Sequence, residues 1–169
     1  HLGNSTPVRY AQLFHRSNRP APWSNRGVAG IDGCSSTAVG AALAGRNTTL
    51  ITGDLGFLYD ANAFLVHPLP HHLRIAVIHN GGGGVFRWLD GPERTGLLES
   101  HFEMRHDREL RSLCDLPGLE HQRVTDSETL RDALSDWWSP SGAPRVLEIA
   151  TPPELSAEAH SVYMDKVSV

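Results

Sequence analysis

The sequence has few cysteines and no long hydrophobic run. Among its 169 residues only Cys34 and Cys114 are cysteines, and they do not form a CxxC motif. This spacing argues against a disulfide framework or a zinc site and favours two reduced structural thiols. The longest apolar runs, such as residues 73–78, are far too short to cross a bilayer. A disulfide-rich secreted domain and a membrane span are therefore both disfavoured.

The sequence also lacks an excess of positive charge. Its formal net charge is -4, which gives no general attraction to nucleic acid or to an anionic membrane. The first ten residues lack the basic-then-apolar pattern of a signal peptide. We therefore expect a cytoplasmic protein with no nucleic-acid partner. Because the chain opens on His1 and not on Met, we expect residues 1–169 to be a single domain of a longer enzyme.

Short apolar segments alternate with helical patterns along the chain. Strands are predicted at residues 49–52, 73–79, 121–124 and 145–150, and helices at residues 6–16, 34–44, 57–66, 107–115 and 127–138. The strands are continuous apolar runs, which indicates burial on both faces and hence parallel pairing. The alternation predicts an α/β fold, a doubly wound and mainly parallel sheet with helices on both faces.

Polar residues and glycines end two consecutive predicted strands. Gly53 and Asp54 end the first, and Asn80 ends the second just before four glycines at residues 81–84. The separation of Asp54 and Asn80 suits one crossover helix and a parallel return strand. Both residues should then lie at the carboxyl edge of the sheet, where open α/β sheets bind ligands.

The chemistry of these two strand ends favours a diphosphate site. Taken alone, Asp54 is more often a helix cap and a glycine run is usually a flexible turn. Together, a carboxylate and an amide oxygen provide the hard ligands that suit Mg²⁺ bound to phosphate oxygens. The Walker pattern GxxxxGK[ST] is absent, and no GxGxxG with a later ribose-binding acid is evident.

The spacing resembles the thiamine diphosphate motif, which begins Gly-Asp-Gly and ends Asn-Asn. Gly53, Asp54 and Asn80 match it, whereas Leu55 and His79 depart from it. Further blocks are HLGNSTPVR at 1–9, SNRGVAGIDGCSSTAVG at 24–40, GDLGFLYDANAF at 53–64, NGGGGVF at 80–86 and HFE at 101–103. In combination they resemble the C-terminal diphosphate-binding domain of the 2-succinyl-5-enolpyruvyl-6-hydroxy-3-cyclohexene-1-carboxylate synthases, the MenD family.

The resemblance implies a thiamine diphosphate-binding fold and a set of cofactor residues. Asp54 and Asn80 would bind Mg²⁺ or Mn²⁺ through side-chain oxygens, and Gly82 would bind it through its carbonyl. Gly53 belongs to the same cofactor motif. Ile31 stands where the superfamily places the bulky residue that holds the cofactor in its bent conformation.

The resemblance also implies substrate-binding residues, namely Ser5, Arg9, Arg26, Val85, Phe86 and Leu89. The two arginines suit substrates that carry carboxylates, although taken alone they are more often solvated surface charges. The apolar members would form a wall beside the substrates. Together with Trp88, they are also expected to form the surface that meets a pyrimidine-binding domain. His101 lies in the HFE block, and its role stays open.

The function implied is that of a thiamine diphosphate-dependent carboligase acting in menaquinone biosynthesis. Such an enzyme decarboxylates 2-oxoglutarate and adds the succinyl carbanion to isochorismate. Its activating Glu would belong to the pyrimidine-binding domain of a homodimer or tetramer, so no catalytic residue is assigned here and the isolated chain should be inactive. Two alternatives stay open. One is another thiamine diphosphate enzyme domain, acetolactate-synthase-like or an oxoacid decarboxylase, and the other is a non-enzymatic diphosphate-binding module.

Overall fold

A parallel four-stranded sheet forms the centre of the computed structural model, which describes residues 1–19, 21–115 and 117–167. The strands are β1 (Thr49–Gly53), β2 (Arg74–His79), β3 (Glu120–Val124) and β4 (Arg145–Ala150). They lie in the order β1-β2-β4-β3, and every neighbouring pair is parallel. This topology confirms the predicted α/β fold. Within the described residues, no helix has both the length and the apolar character needed to cross a membrane.

Helices cover both faces of the sheet. They are α1 (Thr6–Phe14), α2 (Cys34–Leu43), α3 (Asp54–Tyr59), α4 (Asp90–Arg94), α5 (Arg111–Asp115), α6 (Ser127–Trp137) and α7 (Pro153–Val167). On one face, Ile75 and Val77 of β2 pack in a cluster with residues of α2, α3 and α5. On the other, Ala76 of β2 packs in a cluster with residues of α6. Alternate residues of one strand thus enter two apolar layers, which explains the continuous apolar runs in the sequence.

The crossover from β1 to β2 differs from the single helix predicted at residues 57–66. Helix α3 begins at Asp54, directly after β1, and a 3₁₀ helix at Ala61–Leu65 follows it. Asp60 lies between the two, and its carboxylate accepts hydrogen bonds from the backbone N–H and the hydroxyl of Ser36, each at 2.7 Å. The buried Asp60 therefore ties the crossover to the start of α2.

Two other segments were not fully predicted. The chain between β2 and α5 contains only short helical pieces, a 3₁₀ helix at Gly84–Trp88, α4, and a π turn at Leu98–Phe102. The helix predicted at residues 107–115 is restricted to Arg111–Asp115. After β4, where the predicted alternation ended, the chain continues as the 15-residue helix α7. These segments surround the carboxyl end of the sheet.

Candidate functional site

A cavity of about 480 Å³ opens at the carboxyl edge of β1 and β2. The register of the two strands pairs Gly53 with Ile78, so both strands end at the same edge of the sheet. Asp54 and Asn80, which follow these strands, both line the cavity. The topology therefore confirms the shared edge expected from the crossover spacing.

Nearly all the residues singled out in the sequence meet at this cavity. Those that line it are Ser5, Arg9, Arg26, Ile31, Gly53, Asp54, Asn80, Gly82, Val85 and Phe86. Leu89 is the exception, since it is absent from the lining and is 44% exposed. His101, whose role the sequence left open, also lines the cavity. The individual roles of these residues stay predictions, but their convergence is a property of the fold.

Asp54 is held almost entirely by backbone amides. Its side chain is buried, with Oδ1 accepting a hydrogen bond from the N–H of Leu55 at 2.7 Å. Oδ2 accepts from the N–H groups of Gly81 at 2.7 Å and Gly82 at 3.0 Å. These bonds join the start of α3 to the glycine loop that follows β2. The carboxylate is therefore fixed in place by the main chain of both strand ends.

The glycine loop needs its glycines for steric reasons. Gly81 has a φ of 74°, in the left-handed region. A Cβ on Gly82 would lie 2.6 Å from the carbonyl oxygen of Glu103, which also accepts a 2.6 Å hydrogen bond from the N–H of Gly83. Two chain segments are thereby brought into close contact beside Asp54. A larger residue at Gly82 would displace the loop from the cavity.

A buried asparagine, not predicted from the sequence, organises the opposite side of the cavity. Asn4 is 3% exposed, and its Nδ2 donates to the carbonyl oxygens of Asn25 at 2.7 Å and Gly30 at 2.6 Å. Its Oδ1 accepts from Nη1 of Arg26 at 2.7 Å. Asn4 thus links the start of α1 to the loop that carries Arg26 and Ile31. The only sequence signal for Asn4 was that it lies within residues 1–9, one of the blocks that resemble the family.

Two histidines lie behind Asp54. Nε2 of His106 is 3.4 Å from Asp54 Oδ2, Nε2 of His79 is 3.8 Å from it, and the two rings stack at 5.5 Å. The three side chains are close enough to hold a metal ion. However, Nδ1 of His106 accepts a hydrogen bond from the N–H of Arg108 at 3.2 Å, which leaves the hydrogen on Nε2. That Nε2 is buried and has no hydrogen-bond partner within the described residues, so its 3.4 Å approach to Asp54 is a close contact and not a hydrogen bond.

Glu148 supports His79 from within the sheet. Its carboxylate is buried and accepts from His79 Nδ1 and from His121 Nε2, each at 2.7 Å. Burial by itself raises the pKa of Glu148, but the hydrogen bonds from the two histidines outweigh it and hold that pKa below its usual range. This cluster spans strands β2, β4 and β3. Sequence reasoning missed it because its members are far apart in the chain.

The segment that forms the remaining side of the cavity is held by charge pairs. Arg87 makes two hydrogen bonds to the buried carboxylate of Glu103, one of them from Nη2 at 2.9 Å, and a third to Glu99 at 3.1 Å. The hydrogen bond to Glu103 raises the pKa of Arg87. Inside this segment, Phe86 and Phe102 approach to 5.7 Å, and both line the cavity.

Three curated relatives that match this chain carry the same name, 2-succinyl-5-enolpyruvyl-6-hydroxy-3-cyclohexene-1-carboxylate (SEPHCHC) synthase. The protein from Christiangramia forsetii is 39% identical over 166 residues, which cover 98% of this chain and 29% of the relative. That from Porphyromonas gingivalis is 38% identical over 170 residues, covering 99% and 30%. That from Cytophaga hutchinsonii is 42% identical over 153 residues, covering 89% and 27%. The chain belongs to the SEPHCHC synthase family.

Membership of the SEPHCHC synthase family agrees with the resemblance found in the sequence. No protein-family model matches the chain. The chain spans just under a third of the length of the SEPHCHC synthases that it matches. The matched region includes the strand ends, the glycine loop and the segments that enclose the cavity, because the alignment with the C. forsetii synthase covers 98% of the chain.

Proposed function

We propose that the chain is the cofactor-binding part of a thiamine diphosphate-dependent SEPHCHC synthase. The complete enzyme would decarboxylate 2-oxoglutarate and add the succinyl carbanion to isochorismate, in the cytoplasm and as a homodimer or tetramer. The observation that carries this proposal is the convergence of the family-like residues on one cavity at the carboxyl edge of the sheet. The names of the relatives support the same reaction.

The residues at the strand ends fit a divalent metal and a diphosphate. Asp54 provides a carboxylate, Asn80 an amide oxygen and Gly82 a carbonyl oxygen, and all three residues line the cavity. Hard oxygen ligands of this kind suit Mg²⁺ or Mn²⁺, with the remaining positions left for phosphate oxygens and water. The backbone at Gly82 lies so close to the carbonyl oxygen of Glu103 that no side chain fits at this position. The donor set therefore supports the cofactor assignment.

The other lining residues have distinct tasks in this proposal. The chemistry that thiamine diphosphate supplies when bound is a carbon nucleophile and an electron sink for the decarboxylated keto acid. Ile31, which lines the cavity, would pack against the cofactor. Arg9 and Arg26 bind substrate carboxylates through guanidinium forks. Val85 and Phe86 exclude water from the reacting atoms.

The acid that activates the cofactor has to come from outside this set. Among the described residues, Asp54 is the only carboxylate that lines the cavity, and it is assigned to the metal. A Glu from a pyrimidine-binding domain would fill the role. Whatever its affinity for the cofactor, the isolated 169-residue chain should therefore release no CO₂ from 2-oxoglutarate.

The proposal is tested with the complete synthase that contains this chain. Incubation with thiamine diphosphate, Mg²⁺, 2-oxoglutarate and isochorismate should release CO₂ and form the succinylated cyclohexene product, and EDTA should stop the reaction. A parallel assay with pyruvate in place of 2-oxoglutarate distinguishes the proposed reaction from the acetolactate-synthase-like alternative. Turnover of pyruvate in preference to 2-oxoglutarate would refute the proposed substrate, and Mg²⁺-independent diphosphate binding without turnover would indicate a binding module.

A further inference from the structure

Helix α7 contacts two segments that line the cavity, although none of its own described residues lines it. The two segments are α1 and the 3₁₀ helix Gly84–Trp88. They carry or adjoin most of the predicted substrate residues: Arg9 is on α1 and Ser5 directly precedes it, and Val85 and Phe86 are on the 3₁₀ helix. A helix that holds both segments from outside can control the geometry of the substrate site without touching the substrates.

The 3₁₀ helix Gly84–Trp88 has an inner and an outer side. Val85 and Phe86 face the cavity on the inner side. On the outer side, the indole of Trp88 stacks on the imidazole of His160 in α7, with ring centroids 3.8 Å apart and planes only 2° from parallel. Trp88 is therefore half-buried against α7, and its place in the surface that meets a pyrimidine-binding domain stays a prediction.

Helix α1 has the same two-sided arrangement. Arg9 lines the cavity, whereas the ring of Tyr10 lies 5.6 Å from Trp88 and 6.4 Å from His160. Tyr10, Trp88 and His160 thus form one aromatic cluster, contributed by α1, the 3₁₀ helix and α7. Near the end of α1, Phe14 lies 5.1 Å from Tyr163 of α7. His160 is the member of this cluster that contacts both cavity-lining segments.

A second tie is ionic and weaker. Glu154, at the start of α7, binds Arg105 and lies 3.7 Å from Nη2 of Arg87. The side chain of Glu154 is 59% exposed, and ion pairs so open to water contribute little. The aromatic cluster is therefore the stronger connection between α7 and the cavity. Burial lowers the pKa of His160, which favours the neutral form of the ring that stacks on Trp88.

We infer that α7 fixes α1 and the 3₁₀ helix Gly84–Trp88 relative to each other, and that His160 is a positioning residue for substrate binding, an inference that rests on the proposed function. Removing the imidazole would loosen the stack on Trp88 and let Phe86 and Arg9 move apart. Asp54 and the glycine loop would be unaffected, because backbone amides hold them. Substrate affinity should fall while cofactor affinity stays unchanged.

Steady-state kinetics of the complete synthase test this inference with three variants. His160→Ala should raise the KM for isochorismate about three- to tenfold, the factor expected for loss of an aromatic pair, with kcat changed less than about twofold. His160→Phe keeps a stacking ring and should restore the KM. Glu158→Ala, an exposed position of the same helix, is the matched control and should leave the KM unchanged. An unchanged KM in His160→Ala, or an equal rise in the control, would overturn the inference.

Hydrogen exchange provides a readout that does not depend on activity. The N–H groups of Phe86 and Leu89 donate to Gly83 and Phe86 carbonyls, so their exchange reports the order of the 3₁₀ helix. In His160→Ala these amides should exchange faster, while those of Gly81 and Gly82 keep their rates. Equal exchange in the variant and the unmodified protein would overturn the inference. Absence of turnover in the unmodified synthase would instead refute the proposed function, with the exchange result still deciding the role of α7.

Discussion

Two parts of the cavity are built in different ways. The floor, residues 52–56 and 80–83, is fixed by sheet register and by three backbone amides that bind Asp54. The side segment, residues 84–104, has no sheet partner among the described residues and, apart from the backbone hydrogen bond from Gly83 to Glu103, is held chiefly by the side-chain contacts of Arg87 with Glu103 and of Trp88 with His160. The floor is therefore rigid by topology, whereas the side segment depends on a few side-chain contacts. Variants of the two parts should fail differently.

The largest expected effect is a loss of cofactor binding at the floor. Asp54→Ala should weaken Mg²⁺-dependent thiamine diphosphate binding more than about 1,000-fold, or about 4 kcal/mol, because no other carboxylate among the described residues lines the cavity. Isothermal titration calorimetry of the complete synthase provides the measurement.

Two controls accompany this variant. Asp54→Asn keeps one oxygen acceptor, which can serve the amides of Gly81 and Gly82, but removes the negative charge, so it separates misfolding from loss of the charged metal ligand. Asp115→Ala changes an exposed carboxylate away from the cavity and should bind cofactor normally. Unchanged affinity in Asp54→Ala would show that Asp54 does not bind the metal.

The next effect concerns the stability of the side segment. Glu103→Gln should lower the free energy of unfolding by about 3 kcal/mol, because it leaves the largely buried Arg87 without its main counter-ion. Glu99→Gln removes a partner that is 60% exposed and should cost less than about 1 kcal/mol. Urea unfolding monitored by circular dichroism measures both. Equal losses in the two variants would mean that burial of the Glu103 pair is not the decisive factor.

The smallest expected effect is on the pH dependence of stability, through Glu148, whose carboxylate binds His79 next to the floor. Because the folded-state pKa of Glu148 lies below its usual value, its stabilising contribution is complete above the unfolded pKa of about 4.3 and is lost as the pH falls through the lower folded value. Urea midpoints measured from pH 7 down to pH 3 should therefore decline. In Glu148→Gln this part of the decline should disappear. If Glu148→Gln loses stability with falling pH as steeply as the unmodified protein, Glu148 is not the source of this part of the decline.

The floor was predictable from the sequence because its signals are local. Strand ends, a crossover spacing and a glycine run suffice to place Asp54 and Asn80 on one edge, since parallel pairing leaves few other arrangements. The details of the crossover were less accessible. The predicted single helix is divided at Asp60, whose carboxylate binds Ser36 of α2, a tertiary contact that leaves no local signal in the sequence.

The supports of the floor and of the side segment could not be predicted in this way. His106 reaches Asp54, and Glu148 reaches His79, across long sequence separations that leave no periodic signal. Helix α7 buries none of its residues fully, so its sequence lacks the apolar stripe by which amphipathic helices are recognised. Its described contacts include aromatic stacks and ion pairs, whose partners only the folded chain brings together.

The two outer strands of the sheet differ in a way that bears on aggregation. The free edge of β1 is covered by the start of the chain, since Gly3 donates to the carbonyl of Ile51 and the N–H of Ile51 donates to His1. The outer edge of β3 has no strand partner within the described residues, but the strand exposes the charged side chains of Glu120 and Arg123. Charged side chains on a short edge strand disfavour pairing with a strand of another molecule. Cross-β growth from this sheet is therefore disfavoured by hydrogen bonding to residues 1–3 at one edge and by charge at the other.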